Sequence, residues 1–350
     1  MDAGGGEHEA AMDSKMRMIL IPMLVGALVA GGCSKKESAA PRATTTTQPG
    51  VTTTTTPPPP ALLTGLPIGD RDNLDRPALV VKIDNAPEAR PQAGVDKADV
   101  VYEEVVEGGV VRFMAVFQSR DAGLVGPVRS VRPVDPDIVT PLKGLFAYSG
   151  GAPQFERLIK KAPVRLVGVD QLQDAYDRRR DRKAPHNTYS STKALYKGAK
   201  KGDDQPPALF TYGTPSGLPV KHATVAMGAL TKADWDWDPG LSLWKRTTNG
   251  IPHVMEDGPQ LAFANVVVQY VRYSNTTSRD PAGFPVPTAD VVGTGDALIL
   301  AGGTLIRGKW DKGAVSAVTK YTDATGVPVL LKPGPTWVML APVGASTATS

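Results

Sequence analysis

The sequence predicts an α+β fold: an N-terminal mixed α/β domain with antiparallel hairpins, followed by a mostly antiparallel β C-terminal domain. Three observations carry that expectation. Runs rich in Val, Ile and Leu recur at strand length, and Gly-Gly pairs punctuate them. Segments with helical spacing fall before the last third of the chain, which reads as strand. No period of roughly 20 to 50 residues recurs, which disfavours a solenoid or a propeller.

The elements follow in chain order. Lys15 and Arg17 precede an unbroken apolar and small run from Met18 to Gly32, short of the ~20 residues that span a bilayer as a helix. Residues 1–33 are therefore expected to be a signal segment. The stretch Leu28-Val29-Ala30-Gly31-Gly32-Cys33 resembles a bacterial lipobox, with Ala30 where leucine is commonest. That resemblance implies lipidation of Cys33, a membrane attachment through the lipid, and a location on the outer face of the cytoplasmic membrane. Cys33 is also the only cysteine, so no intramolecular disulfide and no thiolate metal cluster is available. Residues 34–61, with threonine runs at 44–47 and 52–56 and four prolines at 57–60, read as a disordered Thr/Pro-rich tether.

Beyond the tether, residues 62–230 are expected to form the N-terminal domain and residues 231–345 the C-terminal one. Pro77 to Ile83 reads as a strand ending in the loop Asp84-Asn85-Ala86-Pro87, and Val100 to Val106 and Val110 to Gln118 read as a hairpin about Gly108-Gly109. Helices are expected over Pro136–Gly144, Pro153–Ala162 and Thr192–Lys201, with a short strand at Leu145–Tyr148; Ala223–Leu230 fits either a strand or a helix. Strand-like runs then cover Leu261–Tyr273, Ala297–Ala301, Thr304–Trp310, Val315–Thr322, Val327–Lys332 and Thr336–Ala341. The net charge of +4 on 350 residues is too small and too dispersed to indicate nucleic-acid binding.

Several residues carry chemistry. Asp84, Glu103, Glu104 and His186 are candidate acid/base groups, and alternation along a strand sends the side chains of Glu103 and Glu104 to opposite faces. Arg112, just past the Gly-Gly turn, is placed to pair across the hairpin with a glutamate of the first strand. Arg129 and Arg132 lie three apart in a Pro-bounded segment and suit an anion, since a guanidinium binds carboxylate or phosphate through two parallel N–H groups; an internal network with Asp84 or Asp135 is the alternative. Ser149 and Gly150 sit between a strand and a helix, where backbone N–H groups can face an anion. Trp235, Trp237 and Trp244 suit either sugar stacking or a packed core. The histidines are too scattered for a metal-ligand pattern, and no cofactor motif is present.

The series IDNAPEARPQAGVDKADVVYEEVVEGGVVRFMAVFQ, GPVRSVRPVD, LFAYSGGAPQF and APHNTYSS, followed by GIPHV, NVVVQYV, VVGTGDALILAGGTLIRGKW and PGPTWVML, resembles the YerB-like family of bacterial lipoproteins from Leu63 to Pro342. The resemblance implies an envelope lipoprotein with a two-part extracytoplasmic region, and no activity. Two functional readings follow. One is a binding or scaffold protein recognising an anionic or carbohydrate wall component, or a partner protein of the envelope. The other is an envelope hydrolase using carboxylate acid/base chemistry. The lack of a complete catalytic signature favours the first.

Overall fold

The structure, a computed structural model, describes residues 59–69 and 74–350. The expected signal segment, Cys33 and all but the last three residues of the expected tether lie outside the described residues. Within them, no helix is long and apolar enough to cross a membrane.

Strand β1 (Leu79–Ile83) is apolar except for Lys82, and every residue in it is buried. β2 (Val100–Val105) and β3 (Val111–Phe117) are antiparallel. Gly108 and Gly109 connect them at φ 69° and 75°, a left-handed region that other residues enter at a cost. Three short helices follow on either side of further strands: α1 (Asp135–Val139), α2 (Pro153–Ile159) and α3 (Thr192–Tyr196), with β4 (Leu145–Ala147) and β5 (Arg165–Leu166) between the first and the last. The second half is built from β6 (His222–Gly228), β7 (Thr231–Asp238), β8 (Leu243–Thr248), β9 (Asn265–Arg279), β10 (Pro285–Asp290), β11 (Gly293–Ala301), β12 (Thr304–Lys312), β13 (Lys320–Asp323), β14 (Thr336–Pro342) and β15 (Thr347–Thr349).

A twelve-stranded sheet orders these as β13-β12-β11-β9-β14-β2-β3-β1-β4-β5, with β10 added beside β9 and Leu218–Pro219 beside β12. One face, carrying Val101, Phe113, Trp337 and Met339, is covered by a six-stranded sheet that includes β15, β6, β7 and β8. Trp235 of that second sheet packs edge-on against Trp337, with ring centroids 5.5 Å apart. The other face carries Val80, Met114 and Val116 and is covered by Ile138 and Val139 of α1 and Phe155 and Ile159 of α2. Strand therefore dominates, and the helices are short caps: α1 and α2 on this face, α3 through Leu195 on the other.

Several expectations change. The helix expected over Pro136–Gly144 is α1 continued by a 3-10 turn through Leu142, and the one expected over Thr192–Lys201 ends at Tyr196. Of Ala223–Leu230, the residues through Gly228 are strand, paired with β7 along their length and with β15 at Ala223–Val225, and Ala229–Leu230 form the turn. Only Lys320–Asp323 and Leu330–Leu331 are strand within the runs expected at Val315–Thr322 and Val327–Lys332.

The larger correction concerns sheet direction, expected to be mostly antiparallel. β14 lies between β9 and β2 and is parallel to both, and β1, β4 and β5 are parallel neighbours. Hydrogen bonds of one sheet thus join strands from both expected domains. A boundary after residue 230 would also cut the β6–β7 hairpin, whose strands pair from His222↔Asp236 to Gly228↔Thr231. Trp235 and Trp244 are fully buried in the core between the sheets, so of the two readings for the tryptophans these two follow the packed one.

Candidate functional site

The candidate site grows from three adjacent strands. Register pairs Lys82 with Met114 and Met114 with Tyr102, while Arg112 pairs with Glu104. Side chains two apart share a face, so Lys82, Arg112, Tyr102 and Glu104 all point toward α1. Asp84, one residue past β1, falls beside Arg112 in the same row. The segment Gly126–Arg129 extends the sheet past the end of β4: the Asp84 amide donates to the Pro127 carbonyl (2.9 Å) and the Arg129 amide to the Lys82 carbonyl (2.8 Å). From the other side, the Ser149 amide donates to the Arg129 carbonyl (3.0 Å) and the Val131 amide to the Gly150 carbonyl (3.0 Å). Ser149 and Gly150 therefore act as a backbone clamp on the arginine segment; the expected N–H of Ser149 is already used.

Two ionic groupings result. In the first, Asp84 Oδ2 lies 2.8 Å from Arg129 Nε and 2.7 Å from His186 Nδ1. Burial alone would raise the Asp84 pKa, but Arg129, Arg112, the Ala86 amide and His186 together hold it below the ordinary carboxylate value. Arg132 Nε pairs with Glu107 at 2.7 Å. Between these pairs stands Arg112, whose Nη1 donates to the Ser130 carbonyl at 3.3 Å; Arg132 Nη1 reaches the same oxygen at 3.5 Å. Burial, and then the neighbouring cations Arg132 and Arg129, push the Arg112 guanidinium down to about 10.

In the second grouping, beneath the arginines, buried Lys82 donates to Glu104 Oε1 and, at 2.6 Å, to Asp135 Oδ1. Asp135 Oδ2 also accepts the Arg132 amide (2.8 Å) at the start of α1. The expected pairing of Arg112 with a β2 glutamate is not made. Glu104 stands opposite it in register but turns to Lys82 instead, because a fully buried ammonium must find a carboxylate.

Glu103 lies on the opposite face, as alternation requires. It accepts both Nη atoms of Arg246 (2.9 and 2.7 Å) and the indole N–H of Trp337 (2.7 Å), and all three residues are fully buried. The Arg246 guanidinium carbon lies 4.8 Å from the Trp337 ring centroid and 5.2 Å from that of Trp235. The structure thus brings Asp84, Arg112, Arg129, Arg132 and His186 together, with Glu104 below them, and separates Glu103 from all of them.

Sequence reading passed over Lys82, Glu107 as the partner of Arg132, and Arg246. For Lys82 the available signal was a charged residue within an apolar strand run, LVVKI; for Arg246 it was only its alternation with Trp244 and Thr248 on one face of LWKRTT. A groove of about 600 Å³ elsewhere, lined in part by Arg272, Asp296 and Arg307, involves none of the candidate residues.

The family follows from these features and from comparison. Residues 63–205 match the model described as Protein of unknown function (DUF3048) N-terminal domain, and residues 223–338 match the DUF3048 C-terminal domain. The chain belongs to this family of two-part proteins. A relative named "Putative lipoprotein YerB", from Bacillus subtilis (strain 168), is 28% identical over 295 residues, which are 81% of this chain and 86% of the relative. The crystal structure of the YerB protein from Bacillus subtilis shares the fold at a TM-score of 0.72 and 24% identity, over 83% of this chain and 99% of that one.

Proposed function

We propose that the chain is a lipid-anchored protein of the outer face of the cytoplasmic membrane. Its arginine cluster would bind an anionic component of the cell wall or an anionic envelope partner. The name of the relative and the lipobox-like segment before Cys33 support the anchor. The observation that carries the binding reading is Arg112. It is a guanidinium crowded by two others, and among the described residues it donates to a carbonyl while the nearest carboxylates serve Arg129, His186 and Lys82. A crowded and under-neutralised guanidinium is what an incoming oxyanion relieves.

The test is retention of residues 62–350 on isolated wall material, beside the double reversal Arg129→Glu/Arg132→Glu. Salt-sensitive retention that the reversal abolishes is expected. Equal retention of both proteins would discard the site.

A hydrolase remains a second reading because of one contact, the Asp84–His186 pair, which orients an imidazole as a base or acid. Turnover of wall fragments that disappears in His186→Ala would establish it. Absence of turnover across wall fragments would remove it.

A further inference from the structure

Counting charges on the α1-facing side of β1, β2 and β3 leads to the ligand of this site and to its regulation. Four cations, Lys82, Arg112, Arg129 and Arg132, meet four carboxylates, Asp84, Glu104, Glu107 and Asp135. These eight groups, His186 left aside, balance to no net charge. An anion entering the cluster would leave one negative charge uncompensated in a largely buried place, which costs several kcal/mol or more in order of magnitude. Uptake of a proton by one of the carboxylates removes that cost.

The geometry selects Glu104 for the proton. Asp84 holds both Arg129 and His186, Glu107 holds Arg132, and Asp135 accepts from Lys82 with one oxygen and from the Arg132 amide with the other. Among the described residues, Glu104 is engaged through Oε1 alone, and its buried Oε2 has no hydrogen-bond partner. An unpartnered buried carboxylate oxygen loses least by becoming neutral. The groups facing Glu104 are Lys82 from β1, Arg112 from β3, Asp135 from α1, Arg132 from the segment before α1, Tyr273 from β9 and Tyr102 from its own strand. Burial raises its pKa first and Asp135 raises it further, against Lys82 and Arg132, so that it stands at about 7.

We propose that the arginine cluster takes up a phosphoryl-type oxyanion together with one proton, and that the proton lodges on Glu104. This rests on the anion-binding reading above. Three guanidiniums offer more N–H donors than the two oxygens of a carboxylate accept, and a tetrahedral oxyanion presents more acceptors on more sides. The proton comes from solvent, and no bond in the anion breaks. The shared chemistry covers a free phosphate and the phosphodiester of a polymer or lipid headgroup.

The experiment is calorimetric titration of the detergent-solubilised full chain with sulfate and, separately, with a soluble glycerophosphodiester, neither of which titrates near neutrality. Each titration is run at about pH 8 in two buffers of unlike ionisation heat. Uptake close to one proton is expected per diester, which carries one charge, and no less per sulfate, which carries two, with affinity falling about tenfold per pH unit above about pH 7. Glu104→Gln should bind either probe with no uptake and a flat pH profile. Tighter binding of the diester would point to polymer or headgroup phosphate, and tighter binding of sulfate to a free oxyanion. Binding without proton uptake in the unaltered protein would overturn the coupling, yet keep the anion site. Binding that survives Arg112→Gln with Arg129→Gln would overturn the site itself, and no binding of either probe at any pH would overturn both.

Discussion

Glu103 and Glu104 are neighbours in the chain and equally buried, yet one is sealed into a core and the other lies beneath a charged surface cluster. On the Glu103 face, Arg246 and Trp337 satisfy the carboxylate completely and two sheets close over the group. On the Glu104 face, one lysine is shared between two carboxylates, one oxygen has no partner among the described residues, and above lie buried Arg112 and the partly exposed Arg129 and Arg132. The difference teaches that a buried ion pair is structural when each lone pair is used, and becomes adjustable when one is not. The tryptophans mark the same division: Trp235 and Trp337 belong to the sealed side.

The comparison can be broken most severely at the strand both faces share. Ending the chain after residue 230 removes β14, the neighbour of β2, and exposes the Glu103 face. Residues 62–230 alone are expected to show no cooperative thermal transition by circular dichroism. A cooperative transition would mean that the first half folds without the strand inserted beside it.

Arg246→Met leaves Glu103 buried without its counter-charge and should cost about 3–5 kcal/mol in chemical denaturation. Pairing it with Glu103→Leu should return much of that loss, because two well-packed apolar groups need no neutralisation.

Lys82→Met tests the other face and should cost less, about 2–3 kcal/mol at pH 8, since Glu104 can neutralise itself. The pH dependence has a definite sign. The Glu104 pKa is raised in the folded state, so its contribution to stability is fully present below its ordinary value and is lost as pH rises through about 7. The Lys82→Met deficit should therefore shrink on acidification from pH 8 to 6. A pH-independent deficit would remove the distinction between the two faces.

Ser149→Ala should change stability by less than about 0.5 kcal/mol, because Ser149 holds the arginine segment through its backbone. A larger loss would give the hydroxyl a role.

The local pattern was legible in particular residues. Gly108-Gly109 implies the β2–β3 hairpin because both positions need positive φ, and alternation along β2 implies that Glu103 and Glu104 diverge. The motif series from Leu63 to Pro342 identifies the family. These are short-range facts, set by backbone sterics and by the two-residue period of a strand.

What only the tertiary structure decided is long-range. Val100 pairs with Thr336 across more than two-thirds of the chain, and no local signal specifies that contact or its parallel direction. The same holds for partner choice. Asp84, Glu103, Glu104, Glu107 and Asp135 share this region with Lys82, Arg112, Arg129, Arg132 and Arg246, and spacing along the chain allows many pairings among them. Which carboxylate takes Lys82, and which arginine is left without one, depends on where α1 and β8 bring Asp135 and Arg246, a consequence of how the layers pack.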